Sequence, residues 1–353
     1  MLNNYSSHLV PQQLTYVIIT PKALYKARTG NILSRLLSRS GLELVGARMF
    51  APSTELCEGL AENFSAQEFT STFLRGSLSQ PENQMLCLLL HGEEAIQKVS
   101  LIVGDDDHMD GRGETLRDTY GDHVMLREEE GDQLAMYYFE PAVIAPATIE
   151  EATQGLALLA EHSDSDGGIL DLSSQFPSAS KLEKTLVLIK PDNFHFPNTR
   201  PGGVIDLLAR TGLAIVGVKI QQMSVAQAKD FYGPVLEVLE AKLPDGRIHW
   251  ESIIAFMSGA RPSDLPDDEH ATPGSQRCVA LIYQGVEAIA KIREALGPTD
   301  PSKAPHGTIR KEFGKDIMIN GAHASDSLES VIRETAIIDI NENNFKSVIL
   351  SLL

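Results

Sequence analysis

LLSRSGLELVG, residues 36–46, returns as LLARTGLAIVG at residues 207–217. Each copy reads as the last turns of a helix, a glycine that ends it (Gly41, Gly212), and the start of an apolar strand. Working outward, YVIITPKAL (16–24) parallels LVLIKPDNF (186–194), and LLLHGEEAIQKV (88–99) parallels LIYQGVEAIAKI (281–292). The match continues through Gly104/Gly297 and Thr115-Leu116-Arg117/Thr308-Ile309-Arg310. Several blocks repeated in one order mean an internal duplication. The offset between copies widens from 171 to 193 residues, which assigns extra residues to the second half, within ARPSDLPDDEHATPGSQR (260–277).

Both copies predict the same element order. A short apolar strand ending at Pro (Tyr16–Ile19, Leu186–Ile189) leads into a helix (Ile32–Ser38, Val204–Arg210) and a second strand after the glycine. A third strand (Met85–Leu90, Cys278–Tyr283) feeds a second helix (Glu93–Leu101, Val286–Leu296), and a late strand closes the unit. This split βαβ order predicts an α+β protein of two ferredoxin-like domains, with antiparallel sheets and helices packed on one face of each. The Ser-, Asp-, Gly- and Pro-rich stretch 161–181 reads as a linker, so the expected domains are residues 1–160 and 182–353.

A chain of 353 residues is long enough for two such cores. The three cysteines, Cys57, Cys87 and Cys278, are scattered and form no CxxC pair, which argues against a disulfide framework and for a reducing compartment. The first twenty residues lack the pattern of a signal peptide, and no apolar run reaches membrane-spanning length. A cytoplasmic location is expected. The net charge of −18 disfavours nucleic acid and anionic membrane as partners, so an anionic small ligand needs a local cluster of basic groups.

The second half carries such a cluster. Lys190-Pro191-Asp192 ends its first strand, Arg293 lies on the second helix, and Thr299 and Arg310 follow. Arginine suits phosphate because its planar fork makes paired hydrogen bonds. Asn320-Gly321-Ala322-His323-Ala324-Ser325-Asp326-Ser327 then leads into a helix, for which Asp326 and Glu329 suggest a capping box and Leu328, Val331 and Ile332 a buried face. His323 therefore precedes a helix N-terminus, where unpaired N–H groups favour an anion, and its imidazole can act as a nucleophile toward phosphorus.

Together IKPD (189–192), IREALGPTDP (292–301), GTIR (307–310) and NGAHASDSLES (320–330) resemble the motifs of nucleoside diphosphate kinases, over roughly residues 184–338. The resemblance implies a kinase that moves the γ-phosphate of a nucleoside triphosphate to a nucleoside diphosphate in a ping-pong cycle through phosphohistidine at His323. It implies that Glu334 orients the imidazole and Ser325 supports it. Arg293, Thr299 and Arg310 become phosphate ligands, with Mg²⁺ held mainly by the nucleotide phosphates. Lys190 and Asn320 reach the ribose hydroxyls and phosphates, Tyr232 is the active-site tyrosine, and Trp250 lies by the position of the aromatic that stacks on the base. Nucleoside tri- and diphosphates are the implied partners, and the implied assembly is a homo-oligomer of tandem chains. Three departures stand out: Ala324 where the family has Gly, the rebuilt loop NFHFPNTRPGG (193–203), and the acidic insertion 260–277.

The first half shares the frame without the chemistry. Thr20 stands for Lys190, Lys22 for Asp192 and Ser100 for Arg293, while Arg117 survives opposite Arg310. Counting on from Arg117 places the counterpart of His323 at Glu130, and His123 comes too early. Residues 1–160 are expected to be a degenerate, non-catalytic kinase-like domain that pairs with the active half. The alternative is a non-catalytic nucleotide-binding or scaffold protein in which both halves have decayed. In GDDDHMDGRGET (104–115), Asp106, His108, Asp110 and Gly111 sit at calcium-loop positions, but the twelfth position is Arg117, so no calcium site is expected. The apolar tail FKSVILSLL (345–353) is expected to pack on the chain itself or dock a partner.

Overall fold

The computed structural model describes residues 11–80, 83–106, 113–127, 134–176 and 181–353. The first half runs β1 (Gln12–Ile19), α1 (Pro21–Tyr25), α2 (Thr29–Ser40), β2 (Glu43–Phe50), α3 (Thr54–Asn63), α4 (Glu68–Phe73), β3 (Met85–Glu93), α5 (Ala95–Val103), α6 (Leu116–Tyr120), β4 (Asp122–Arg127), β5 (Leu134–Glu140), β6 (Val143–Ile144) and α7 (Ile149–His162). The second runs β7 (Leu182–Ile189), α8 (Arg200–Ala209), β8 (Ala214–Gln221), α9 (Val225–Phe231), α10 (Gly233–Lys242), α11 (Gly246–Ser258), β9 (Cys278–Val286), α12 (Ala288–Leu296), α13 (Ile309–Phe313), β10 (Ala322–Ala324), α14 (Leu328–Ile338) and α15 (Asn344–Leu352).

The duplication appears as two four-stranded antiparallel sheets of matching order, β2-β3-β1-β6 and β8-β9-β7-β10. Each is the split βαβ arrangement, so the chain has two ferredoxin-like units. Gly41 caps α2 as expected, whereas α8 ends at Ala209 with Arg210 as its cap and Gly212 lies beyond it; both glycines adopt left-handed φ, +67° and +71°, without a Cβ clash. Both units have a register shift at the same motif, Leu44/Gly46 and Ile215/Gly217.

Helices cover both faces of each sheet, which corrects the one-face expectation. The reason is visible in the strands: Tyr16–Ile19 and Leu186–Ile189 are continuous apolar runs, so each face buries side chains. One core is shared between halves. Val17 and Ile19 with α2 and α5 pack there against Val187 and Ile189 with α8 and α12. Tyr16 and Ile18 turn to a second core under α3 and α7, and Leu186 and Leu188 to a third under α9 and α11.

The shared core brings α2 against α8 at a distance only glycine permits. A Cβ on Gly202 would lie 2.2 Å from the Gly30 carbonyl oxygen, and one on Gly30 2.4 Å from that of Gly202. Asn31 Nδ2 donates to Asp206 Oδ1 at 2.7 Å across the same contact. The stretch after α7 is tied to both sheets: the amide of Gly168 donates to the Met49 carbonyl at 3.0 Å and that of Leu170 to the Val216 carbonyl at 2.8 Å.

A basic residue on the second strand of each unit caps the helix that follows its fourth strand. Arg48 Nε donates to the Ser163 carbonyl at 2.9 Å past α7, and Lys219 Nζ to the carbonyls of Ile338 and Asp339 at 3.1 and 2.9 Å at the end of α14. A cation there meets unpaired carbonyls and the negative end of the dipole. The apolar tail packs on the chain itself. As α15 it leaves the second unit and lies on the first, with Phe345 and Ile349 buried in the core under α7. Insertion 260–277 folds over the end of α11, pinned by His270, whose Nε2 is 3.1 Å from the Pro262 carbonyl oxygen. Among the described residues, no helix is long and apolar enough to cross a membrane.

Candidate functional site

β10 places the site. Its partner register sets His323 opposite Leu188, with Ala322 and Ala324 on either side. Successive strand residues face opposite ways. Ala322 and Ala324 enter the shared core, while His323 faces the aromatic side, its ring centroid 5.1 Å from Phe231 and 6.2 Å from Tyr232. The methyl that Ala324 adds relative to the family's glycine therefore points away from the histidine face.

α14 supplies the histidine's partner. His323 Nε2 is 2.8 Å from Glu334 Oε2, and Ser325 Oγ donates to the same oxygen at 2.7 Å. A carboxylate only accepts hydrogen bonds, so Nε2 carries the hydrogen and the imidazole lone pair lies on Nδ1. The other carboxylate oxygen, Oε1, accepts from Arg333 Nη2 at 3.1 Å. Arg333 is a residue that the motif reading passed over; its position beside Glu334 was the available signal. The helix start also differs from expectation. Ser327 is the N-cap, accepting from the Ser330 amide at 3.1 Å, while Asp326 accepts from the Ser330 hydroxyl. Val331, Glu334 and Ile338 form the buried face, and Leu328 and Ile332 are exposed. The buried stripe is set by where Glu334 must point, not by the most apolar run.

The basic groups gather on the other side. Lys190 Nζ donates to the Met318 carbonyl and to Asn320 Oδ1, both at 2.9 Å. Asn320 Nδ2 donates in turn to the carbonyls of Ile317 and Thr299 at 2.8 and 3.2 Å. Burial chiefly, with Arg310 adding to it and Asp192 opposing, brings the Lys190 ammonium down to about 8. Arg310 Nη1 donates to the Gly297 carbonyl at 2.9 Å, and its Nε is buried without a partner among the described residues. Burial, then the neighbouring charge of Arg293, lowers Arg310 to about 10. Arg293 and Thr299 are exposed. The rebuilt loop is tied back to this region: Arg200 Nη2 donates to the Phe313 carbonyl at 2.6 Å and pairs with Asp192 at 3.3 Å.

Trp250 is the exception. It is 4% exposed in the core, and its Nε1 donates to the Tyr232 carbonyl at 2.8 Å. Its ring backs Tyr232 rather than offering a face for stacking, because the indole N–H finds its acceptor inside. Tyr232 itself is buried, its hydroxyl has no partner among the described residues, and burial pushes its pKa up.

The same positions of the first unit are filled differently. Ile18 of β1 pairs with Ile144, as Leu188 pairs with His323, so Ile144 and not Glu130 is the counterpart of the histidine. The β4–β5 hairpin, inserted after α6, moves that counterpart along the chain; Glu130 lies outside the described residues. Seven residues past each N-cap, Gly155 stands where Glu334 does, and a Cβ there would lie 1.9 Å from the Tyr16 hydroxyl. Arg117 repeats the bonds of Arg310, donating to the Gly104 and Val143 carbonyls at 3.0 and 3.3 Å. Its remaining nitrogen donates to Gln67 and Thr70, and Asp106 lies 3.7 Å away. Asp106 is thus used internally; His108, Asp110 and Gly111 lie outside the described residues.

Lys190 makes the site sensitive to pH in a defined direction. Below about pH 8 the ammonium is charged in folded and unfolded chains alike. Between about 8 and the ordinary lysine value of 10.5, the folded chain has released a proton that the unfolded chain still holds. Stability contributed through this group then rises with pH. Denaturant titrations of wild type and Lys190→Met should show wild type gaining on the variant across that window; curves that run parallel would contradict the buried-ammonium assignment.

The nucleoside diphosphate kinase family profile matches residues 13–129 and 267–343, more than half of the chain. The nucleoside diphosphate kinase of Hydrogenovibrio crunogenus is 34% identical over 153 residues, spanning 43% of this chain and 89% of the relative. That of Carboxydothermus hydrogenoformans is 33% identical over 156 residues, spanning 44% and 87%. An orthorhombic crystal form of the Aquifex aeolicus nucleoside diphosphate kinase aligns with TM-score 0.34 and 28% identity, over 45% of this chain and 95% of that one. By the profile match in both halves and the identity to near-complete relatives, the chain belongs to the nucleoside diphosphate kinase family.

Proposed function

We propose that the chain is a nucleoside diphosphate kinase whose second unit, residues 182–353, transfers phosphate in two half-reactions through His323. The bond of His323 Nε2 to Glu334 carries this reading, because it leaves the Nδ1 lone pair for attack on phosphorus. In the first half-reaction Nδ1 bonds to the γ-phosphorus, the bond from that phosphorus to the bridging oxygen breaks, and the nucleoside diphosphate leaves. In the second, a β-phosphate oxygen of the acceptor attacks the phosphorus and the N–P bond breaks. Arg310, Arg293, Thr299, Lys190 and Asn320 hold phosphate and ribose oxygens, and Tyr232 with Phe231 walls the imidazole. Positioning and charge stabilisation supply most of the rate in such transfers. Mg²⁺ would be held mainly by the nucleotide phosphates and would neutralise part of their charge; the donors around His323 are mainly cations and amides, which fit phosphate oxygens. Incubation with γ-labelled ATP and Mg²⁺ should give an acid-labile label that leaves when GDP is added. A protein that binds nucleotide but takes no label would favour the scaffold reading.

The first unit, residues 1–160, serves as a non-catalytic support that binds no nucleotide. Ile144 and Gly155 remove the nucleophile and its carboxylate, and Asp106, Gln67 and Thr70 occupy the arginine that would meet a phosphate. Calorimetric titration with ADP and Mg²⁺ should give one site per chain. Two sites per chain would overturn this assignment.

A further inference from the structure

We infer that Arg333 is a positioning residue for the transfer, acting through Glu334; this rests on the proposed function. Arg333 reaches two elements at once. Its Nη1 donates to the Asp230 and Phe231 carbonyls at 3.0 and 3.1 Å, at the C-terminal end of α9, and its Nη2 to Glu334 Oε1 at 3.1 Å. Both carbonyls belong to the last turn of a helix, where carbonyls lack intrahelical partners, so a guanidinium is well suited to the place.

The geometry has a purpose beyond capping. Glu334 has two oxygens and one task, to hold His323 with Nδ1 forward. Ser325 and His323 take Oε2, which leaves Oε1 free to pull the carboxylate about its own axis. Arg333 closes that freedom by fixing Oε1. The same guanidinium holds the chain that carries Phe231 and Tyr232, the two rings standing edge-on to His323. One side chain therefore sets both the hydrogen bond that orients the imidazole and the aromatic wall that limits its swing. The Arg333 side chain is 34% exposed while that of Glu334 is 5% exposed, so the orienting charge comes from the solvent side of a buried carboxylate.

A double-mutant cycle tests this. Single-turnover phosphorylation and the Kd for Mg²⁺-ADP are measured for wild type, Arg333→Ala, Arg333→Lys, Glu334→Gln and the Arg333→Ala/Glu334→Gln double variant. Arg333→Ala should slow phosphorylation about tenfold, in the range of coupling between groups of one hydrogen-bond network, with Kd unchanged. Arg333→Lys should recover part of that loss. In the Glu334→Gln background, removing Arg333 should have little further effect, because the group it positions is already altered. Equal losses in both backgrounds, or a loss that appears in Kd rather than in rate, would overturn the inference while leaving the kinase reading intact. A wild-type protein that accepts no phosphate overturns both.

Discussion

His323→Ala should accept no phosphoryl group from labelled ATP, and its turnover should fall by at least about a thousandfold, the scale on which removal of a nucleophile leaves only binding and charge stabilisation. The expectation is sharp because the site offers no substitute. Ser325 already donates to Glu334, the Tyr232 hydroxyl is buried with its pKa pushed up, and the buried thiol of Cys278 is pushed up to about 12. None of these groups has the lone pair that His323 keeps on Nδ1 while Glu334 holds its Nε2. The side chains proposed to hold phosphate remain in the variant, so Mg²⁺-ADP should bind with near wild-type affinity. Loss of label with retained binding places the chemistry at the imidazole. Label that persists in His323→Ala would mean another nucleophile and would sink the assignment; loss of both label and binding would point to a collapsed site, which a melting curve distinguishes.

Much of the fold was legible because the duplication states it twice. A short apolar strand ending at Pro, a helix closed by glycine and a strand beginning at LELVG or LAIVG are local signals, and each appears in the structure at nearly the expected residues. The motif residues Arg310, Asn320, His323, Ser325 and Glu334 fall within one 25-residue stretch, and Lys190, 120 residues before Arg310, joins them through Asn320. Tertiary facts were less readable. The resemblance sets Trp250 by the base-stacking position, but its buried indole N–H ends on the Tyr232 carbonyl. Leu328 and Ile332 are more apolar than Glu334, yet the helix turns the glutamate inward because His323 and Ser325 wait there. Ile144 could not be found by counting, because the β4–β5 hairpin intervenes and only strand register identifies the position. Arg333 carries no motif of its own; its importance lies in what its two nitrogens touch.

Phe345→Ala should destabilise the protein by about 3–5 kcal/mol, the range for truncating a buried phenylalanine, out of a total that is commonly only about 5–15 kcal/mol. The side chain is fully buried and stands edge-on to Phe50 with ring centroids 5.7 Å apart. Its neighbours belong to the first unit, so the second unit's tail completes the first unit's core. The exposed Leu350, on the same helix, is the matched control and should change stability by no more than about 0.5 kcal/mol. Catalysis should respond differently. α14 ends before α15 begins, and Lys219 holds that end independently through the Ile338 and Asp339 carbonyls. Glu334 therefore keeps its place when α15 loosens, and phosphorylation measured well below the unfolding transition should survive the Phe345 substitution. Denaturant midpoints that fall together with a preserved phosphorylation rate would mark α15 as a strap between units. A rate that falls in proportion to stability would instead mean that the tail, and with it the first unit, helps to position the histidine and its carboxylate.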